Sequence, residues 1–194
     1  MSWISRGLIA LASLIMIGIY FQPLWKIRLY APQYPDGLGM IIWVNKITGK
    51  NPHDLQNINL LNHYVGMKKI DPNSIPELKI LPVVFGFMIF LGLLTAATGS
   101  KKLLYAWAVL IVLIGVASLV DFWWWEYDYG HNLNPHAPIK IPGMAYQPPM
   151  FGCKNLLNFR ACAFPSSGTY LLAVSGTLGV LSAFIEFLRG RKKA

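Results

Sequence analysis

The four histidines of this chain, His53, His63, His131 and His136, all fall between its long apolar runs, and Met67, Met144 and Met150 lie near them in the sequence. Imidazole mixed with thioether is a donor set that suits copper, and thioether in particular favours Cu(I). If residues 51–70 form a helix, Asn59, His63 and Met67 are spaced four apart and share one face. A metal site is therefore expected to take His63 and Met67 from one polar segment, and His131 with His136 or Met144 from the other. Glu126 and Asp128 would accept hydrogen bonds from the imidazole N–H groups and so orient the rings. Asp121 stands at the end of an apolar run, where an ionisable group costs free energy unless it is paired or wetted, so it joins the candidates. Each of these residues also has a plainer role. Histidines at a membrane interface contact headgroups, and methionines pack. Asp121 could pair with Lys140, Lys154 or Arg160, while Trp123, Trp124 and Trp125 would form an interfacial belt. The sequence contains no HExxH, GxSxG, phosphate-binding glycine loop or CxxCH, which makes catalysis the weaker expectation.

The elements that must position these groups follow from composition. Hydrophobic residues make up 55% of the chain and charged residues only 13%, against about 25% charged in soluble domains. Residues 7–25, 80–100, 103–120 and 161–185 contain no Asp, Glu, Lys or Arg, and about 18–20 apolar residues suffice to cross a bilayer core. The expected fold is an all-α membrane protein forming a single integral domain. Its four transmembrane helices are placed at 3–21, 78–98, 103–123 and 169–188. Two long segments, 23–77 and 124–168, are expected to pack into a small irregular cap.

Within the first segment, GMIIWVNKITG is β-branched and bounded by glycines, which fits a short strand or hairpin arm. Leu55, Ile58, Leu61 and Val65 recur at helical spacing. That helix is expected to open at Asn51 or Pro52 and to close at Asp71-Pro72. The second segment is rich in Pro, Gly and Asn and has little periodicity, so irregular backbone is expected there.

Lys101 and Lys102 lie in the shortest connection, and Arg189, Arg191, Lys192 and Lys193 in the tail. The positive-inside rule places both on the cytoplasmic side with both termini, although the 23–77 segment carries basic residues of its own. The cap is then extracytoplasmic, on a bacterial inner membrane. Cys153 and Cys162 are the only cysteines and fall on that side, where a disulfide persists. The net charge of +9 is scattered through loops rather than gathered on a recognition face, so nucleic acid is not an expected partner. Membrane lipid is, and so are other membrane or periplasmic subunits. Gly86, Gly92, Gly176 and Gly179 would allow close helix approach.

At YPDGL and LNHYVGM in the first segment, and at YDYGHNLNP, PGMAYQPP and LLNF in the second, the chain resembles a family of small bacterial membrane proteins. The family occurs in Bacteroidetes-type genomes near the maturation components of nitrous-oxide reductase, among them a copper-chaperone lipoprotein. The resemblance implies extracytoplasmic copper handling that assists maturation of a cuproenzyme, with His63, Met67, His131 and Met144 at the matching positions. The cysteine pair is not part of that pattern, and its disulfide rests on spacing and compartment alone. The alternatives are a non-catalytic accessory subunit of a larger respiratory or oxidase-type complex and a quinone-linked redox subunit.

Overall fold

In Trp25-Lys26-Ile27-Arg28-Leu29-Tyr30-Ala31 the charged side chains alternate with apolar ones, the period of a strand with one buried face. In the computed structural model, which describes residues 1–191, this stretch is a strand at the centre of a sheet. In chain order the elements are α1 (Trp3–Ile17), β1 (Trp25–Ala31), β2 (Tyr34–Ile42), β3 (Ile47–Gly49), α2 (Asp54–Val65), α3 (Glu77–Thr98), α4 (Lys101–His131), β4 (Gly152–Leu156), β5 (Phe159–Pro165) and α5 (Ser167–Arg191). The strands form one antiparallel sheet in the order β3-β2-β1-β5-β4. The all-α expectation is thereby corrected. The cap is an ordered five-stranded sheet with one helix against it, and the fold is mixed α and β.

Among the described residues, four helices are long and apolar enough to cross a membrane: Trp3–Tyr20, which adds a 3-10 turn to α1, then α3, α4 and α5. Lys192 and Lys193 of the basic tail lie outside the described residues. The helix pair α1/α5 continues directly into the strand pair β1/β5. Ser166 N donates to Leu24 O and Gly168 N to Pro23 O, both at 2.8 Å, where the two layers join. Small residues let α1 and α5 approach closely, and their hydroxyls bridge the backbones. Ser175 Oγ donates to Ala12 O at 2.7 Å and Ser182 Oγ to Ser5 O at 2.8 Å. Such bonds suit apolar surroundings, where a free hydroxyl finds no water.

At the end away from the sheet, Glu186 ties three helices together. Its Oε1 accepts from Ser2 N at 2.6 Å and Ser5 Oγ at 2.9 Å, and its Oε2 lies 3.4 Å from Lys101 Nζ. Trp107 fills the bundle interior, donating its indole N–H to Met88 O at 2.9 Å. A Cβ on Gly179 would stand 1.8 Å from the Trp107 ring, so only glycine fits that crossing.

The inner face of the sheet closes over a second core, in which Ile27, Leu38 and Met40 meet Ile58 and Leu61 of α2 and Tyr129 of α4. The apolar stripe read for α2 is the face that is buried, with Ile58, Leu61 and Val65 inside and Leu55 half-buried. The helix ends earlier than Asp71-Pro72, at Gly66, which caps it in the left-handed region at φ 82°. Met67 therefore lies beyond the helix, and the predicted Asn59–His63–Met67 face is cut at its last member.

A larger correction concerns α4, which runs past Trp123 for two more turns to His131. Its 31 residues amount to about 46 Å, against a hydrocarbon core of about 30 Å. Trp124, Trp125, Glu126 and Asp128 are thus helical rather than part of an irregular segment, and Asp121 and Trp123 lie within the helix as expected.

Candidate functional site

Once α4 is known to continue, its last turns sort into two faces. Trp123, Trp124, Tyr127 and His131 are exposed, whereas Glu126, Tyr129 and Gly130 are buried under the cap. On the exposed face the Tyr127 and His131 rings stack at 3.9 Å between centroids, and His131 Nδ1 lies 3.0 Å from Tyr127 O. Glu126 is on the other face. It stands about 37 Å along the helix from Lys101, in the part that rises into the cap.

Glu126 is fully buried, and neither of its carboxylate oxygens has a hydrogen-bond partner. It is one of the residues around a chamber of about 80 Å³ whose walls also include Met40, Met67, Asn62, Tyr129 and Tyr146. The Tyr146 hydroxyl is also buried without a partner. The contrast with Glu186 is informative. That carboxylate, almost as deeply buried, takes two donors and a lysine, while Glu126 takes none. An unpaired polar group sealed from water is costly, and an ionised one more so. A carboxyl in this position holds either its own proton or a cation that replaces it.

The chamber is walled in by contacts between the two polar segments and within the second. Asn134 N donates to Gly66 O at 2.7 Å, Ile139 N to Tyr64 O at 2.9 Å, and Tyr146 N to Gly130 O at 2.9 Å. Gly130 packs so tightly that a Cβ there would stand 2.4 Å from the Gln147 backbone. Asp128 forms an ion pair with Lys68 at 2.6 Å and also accepts from Asn132 Nδ2. Asp128 therefore braces the cap from outside and touches no imidazole.

The segments meet, and the four histidines, His53, His63, His131 and His136, lie exposed at the surface. His53 Nδ1 lies 3.3 Å from Gln56 Oε1, and the His136 backbone N–H bonds Asn134 Oδ1 at 2.8 Å. Among the described residues no group of three or more His, Cys, Asp or Glu side chains is placed to hold a metal. Of the predicted ligands, only Met67 reaches the chamber wall. Met144 is half-buried within the 141–144 turn. Asp121 looks instead into a separate cavity lower on α4. Glu126, expected to support an imidazole, is the buried group itself, and Met40 enters from β2 without having been foreseen.

Cys153 and Cys162 are bonded to each other across the β4/β5 hairpin, where they are register partners. Cys162 alternates with Ala161 and Ala163, which are buried at the inner face. The disulfide thus clamps the edge hairpin rather than entering the chamber.

Asp54 fixes the other side of the cap. Its Oδ2 accepts from Gly39 N at 2.9 Å and from Asn51 N at 3.1 Å, joining the start of α2 to β2. Burial disfavours its charge, but these donors and nearby Lys50 outweigh burial and hold the carboxyl below its ordinary range. Compared with known protein families and with curated proteins, the chain matches none.

Proposed function

We propose that this protein handles Cu(I) at its membrane, taking the ion into the chamber around Glu126 rather than onto the surface histidines. The observation that carries the reading is the orphaned Glu126 carboxyl, buried at the wall of one small chamber that Met40 and Met67 also line. One carboxylate supplies one negative charge, so a monovalent cation leaves the apolar chamber neutral overall. Two thioethers make the site soft, which favours Cu(I) over hard cations. Ca²⁺ would demand six or more oxygen ligands and Mg²⁺ a near-complete octahedron of them, and this wall is mostly apolar. Because the incoming ion displaces the Glu126 proton, which leaves to water, uptake strengthens as pH rises. Half-buried Met67, next to the helix cap at Gly66, is the donor nearest the surface. The family resemblance supports the same cargo, and the basic hairpin and tail support a cap on the extracytoplasmic side.

Competition for Cu(I) against a chromogenic chelator, with purified protein in nanodiscs, tests the assignment. One equivalent of Cu(I) is expected to bind. Met40→Leu with Met67→Leu, which keeps volume, is expected to weaken binding at least about tenfold, and His63→Ala with His131→Ala to leave it unchanged. Absence of Cu(I) binding, or loss confined to the histidine variant, would overturn the proposal.

A further inference from the structure

The net charge of +9 reads in the sequence as scattered, but the sheet gathers part of it on one face. Ile27 and Leu29 of β1 pack into the core, so Lys26 and Arg28 stand on the outer face, and both are exposed. The register carries this face onto the neighbouring strands. Arg28 is opposite Gly39 on one side and Cys162 on the other, and Tyr30 is opposite exposed Arg160. Lys50 N donates to Gly39 O at 2.8 Å, and the Lys50 stem occupies the space that a Gly39 side chain would fill. Lys26, Arg28, Lys50 and Arg160 thus share one face, within about 14 Å in either direction.

No anion of the fold neutralises them. Neither ion pair among the described residues involves any of the four. The one acid in the five strands, Asp36, lies where the pairing of β1 with β2 slips. Asp54, which Lys50 helps to keep charged, is buried, and its Oδ2 already accepts from two backbone N–H groups. Lysines on edge strands block pairing with other chains, and Lys154 on β4 fits that role. Lys26 and Arg28 do not, because β1 is the central strand and is paired on both sides. Like charges side by side on a sheet repel, and an anionic occupant relieves that repulsion.

A second copy of this chain, itself +9, is repelled rather than attracted. A bilayer that ends with the helices meets only the first row of the face, where Lys26 is opposite Phe164 and the exposed Phe151 and Phe164 rings lie 5.5 Å apart. Arg28, and then Arg160, stand successively farther along the strands from the helix ends. An extended peptide with carboxylates on alternate residues spaces them about 6.8 Å apart, the same step that separates Lys26 from Arg28. Arginine also takes a carboxylate bidentately.

We propose that the outer face of the sheet docks an acidic segment of a partner protein, its carboxylates pairing with Lys26 and Arg28 and, at the flanks, with Lys50 and Arg160. The face is the opposite one from that which lines the Glu126 chamber, so the inference does not depend on metal binding there.

The test is a titration of the full chain, in phosphatidylcholine nanodiscs, with a fluorescein-labelled Glu-Thr repeat peptide read by anisotropy. Saturable binding is expected, weakening as salt is raised, and at least about tenfold weaker in Lys26→Ser with Arg28→Ser. Arg189→Ser with Arg191→Ser, at the other end of the molecule, is expected to leave it unchanged. Binding that does not saturate, that the sheet variant leaves intact, or that the tail variant removes would overturn the proposal. So would phosphatidylglycerol vesicles or a duplex oligonucleotide held through Lys26 and Arg28 more tightly than the peptide at the same salt. All four substituted side chains are exposed, and thermal unfolding unchanged from the parent shows that lost binding is not lost fold.

Discussion

Replacing Glu126 by leucine should make the metal-free protein more stable. The side chains are similar in volume, so neither a cavity nor overpacking is introduced. Both carboxyl oxygens are buried without a partner in the native structure, and leaving such a group unpaired costs about 1–3 kcal/mol. Leucine removes that cost, so the expected gain is about 1–3 kcal/mol, or a rise in Tm of about 2–4 °C per kcal/mol for a chain of this size. Saturating Cu(I) should reverse the order. At a free concentration about a thousandfold above Kd, binding stabilises the parent by about 4.1 kcal/mol, and the variant gains nothing. The assay is paired thermal unfolding in nanodiscs, with and without Cu(I), followed by tryptophan fluorescence at one fixed heating rate, since membrane proteins commonly unfold irreversibly. A metal-free Glu126→Leu variant less stable than the parent by more than about 1 kcal/mol would mean that the carboxyl has a native partner, and the reasoning from an orphaned acid would fall.

Asp54→Asn removes the charge that holds Gly39 N–H and Asn51 N–H, and should cost about 1–2 kcal/mol near neutral pH. Since the folded-state carboxyl is held below its ordinary value, that contribution is fully present above about pH 4 and is lost as pH falls through the lower folded value. Stability curves for parent and variant should therefore converge in acid; a gap independent of pH would refute the ion's role. Leu157→Gly should stabilise by up to about 1 kcal/mol, because Leu157 turns the β4/β5 hairpin at φ 57°, a region that suits glycine. No gain in Tm would count against that turn. Gly179→Ala should cost about 2–3 kcal/mol or more by forcing a methyl into the Trp107 ring, and Trp107→Leu in the same chain should recover part of it. Strict additivity of the two changes in a double-mutant cycle would show that they do not touch.

The four membrane-length helices were legible because their signal is one-dimensional: long runs without charge need no partner to be recognised. The sheet was harder, for reasons visible in particular residues. Its central strand, Trp25 to Ala31, went unread despite its alternation, because it is only seven residues long and the punctuation YAPQYPDGLG beside it reads as loop. Pro35 is tolerated in β2 because β3 pairs only with Met40–Ile42, leaving the earlier part of β2 open on that side. The β4/β5 hairpin gave only a weak turn signal: Asn158 stands second in the turn, but Leu157 occupies the position of positive φ where glycine or asparagine is the usual mark. The candidate site was missed through a boundary. Acidic residues after Trp123 look like the end of a transmembrane helix, yet Phe122, Trp125, Glu126 and Tyr129 keep the three- and four-residue spacing of a helical face. That spacing places Glu126 inward, and only a cap folded over the helix end can cover it. Histidines draw attention in a sequence because they are rare and versatile, whereas a single glutamate among many polar residues does not. What distinguishes Glu126 is that no donor bonds its carboxyl, in a chamber where Met40, Met67 and Tyr146 converge from three distant parts of the chain. Chemistry carried by such a group is written in packing, which is why Glu126→Leu, with its opposite effects on stability and on metal uptake, is the substitution that separates the two.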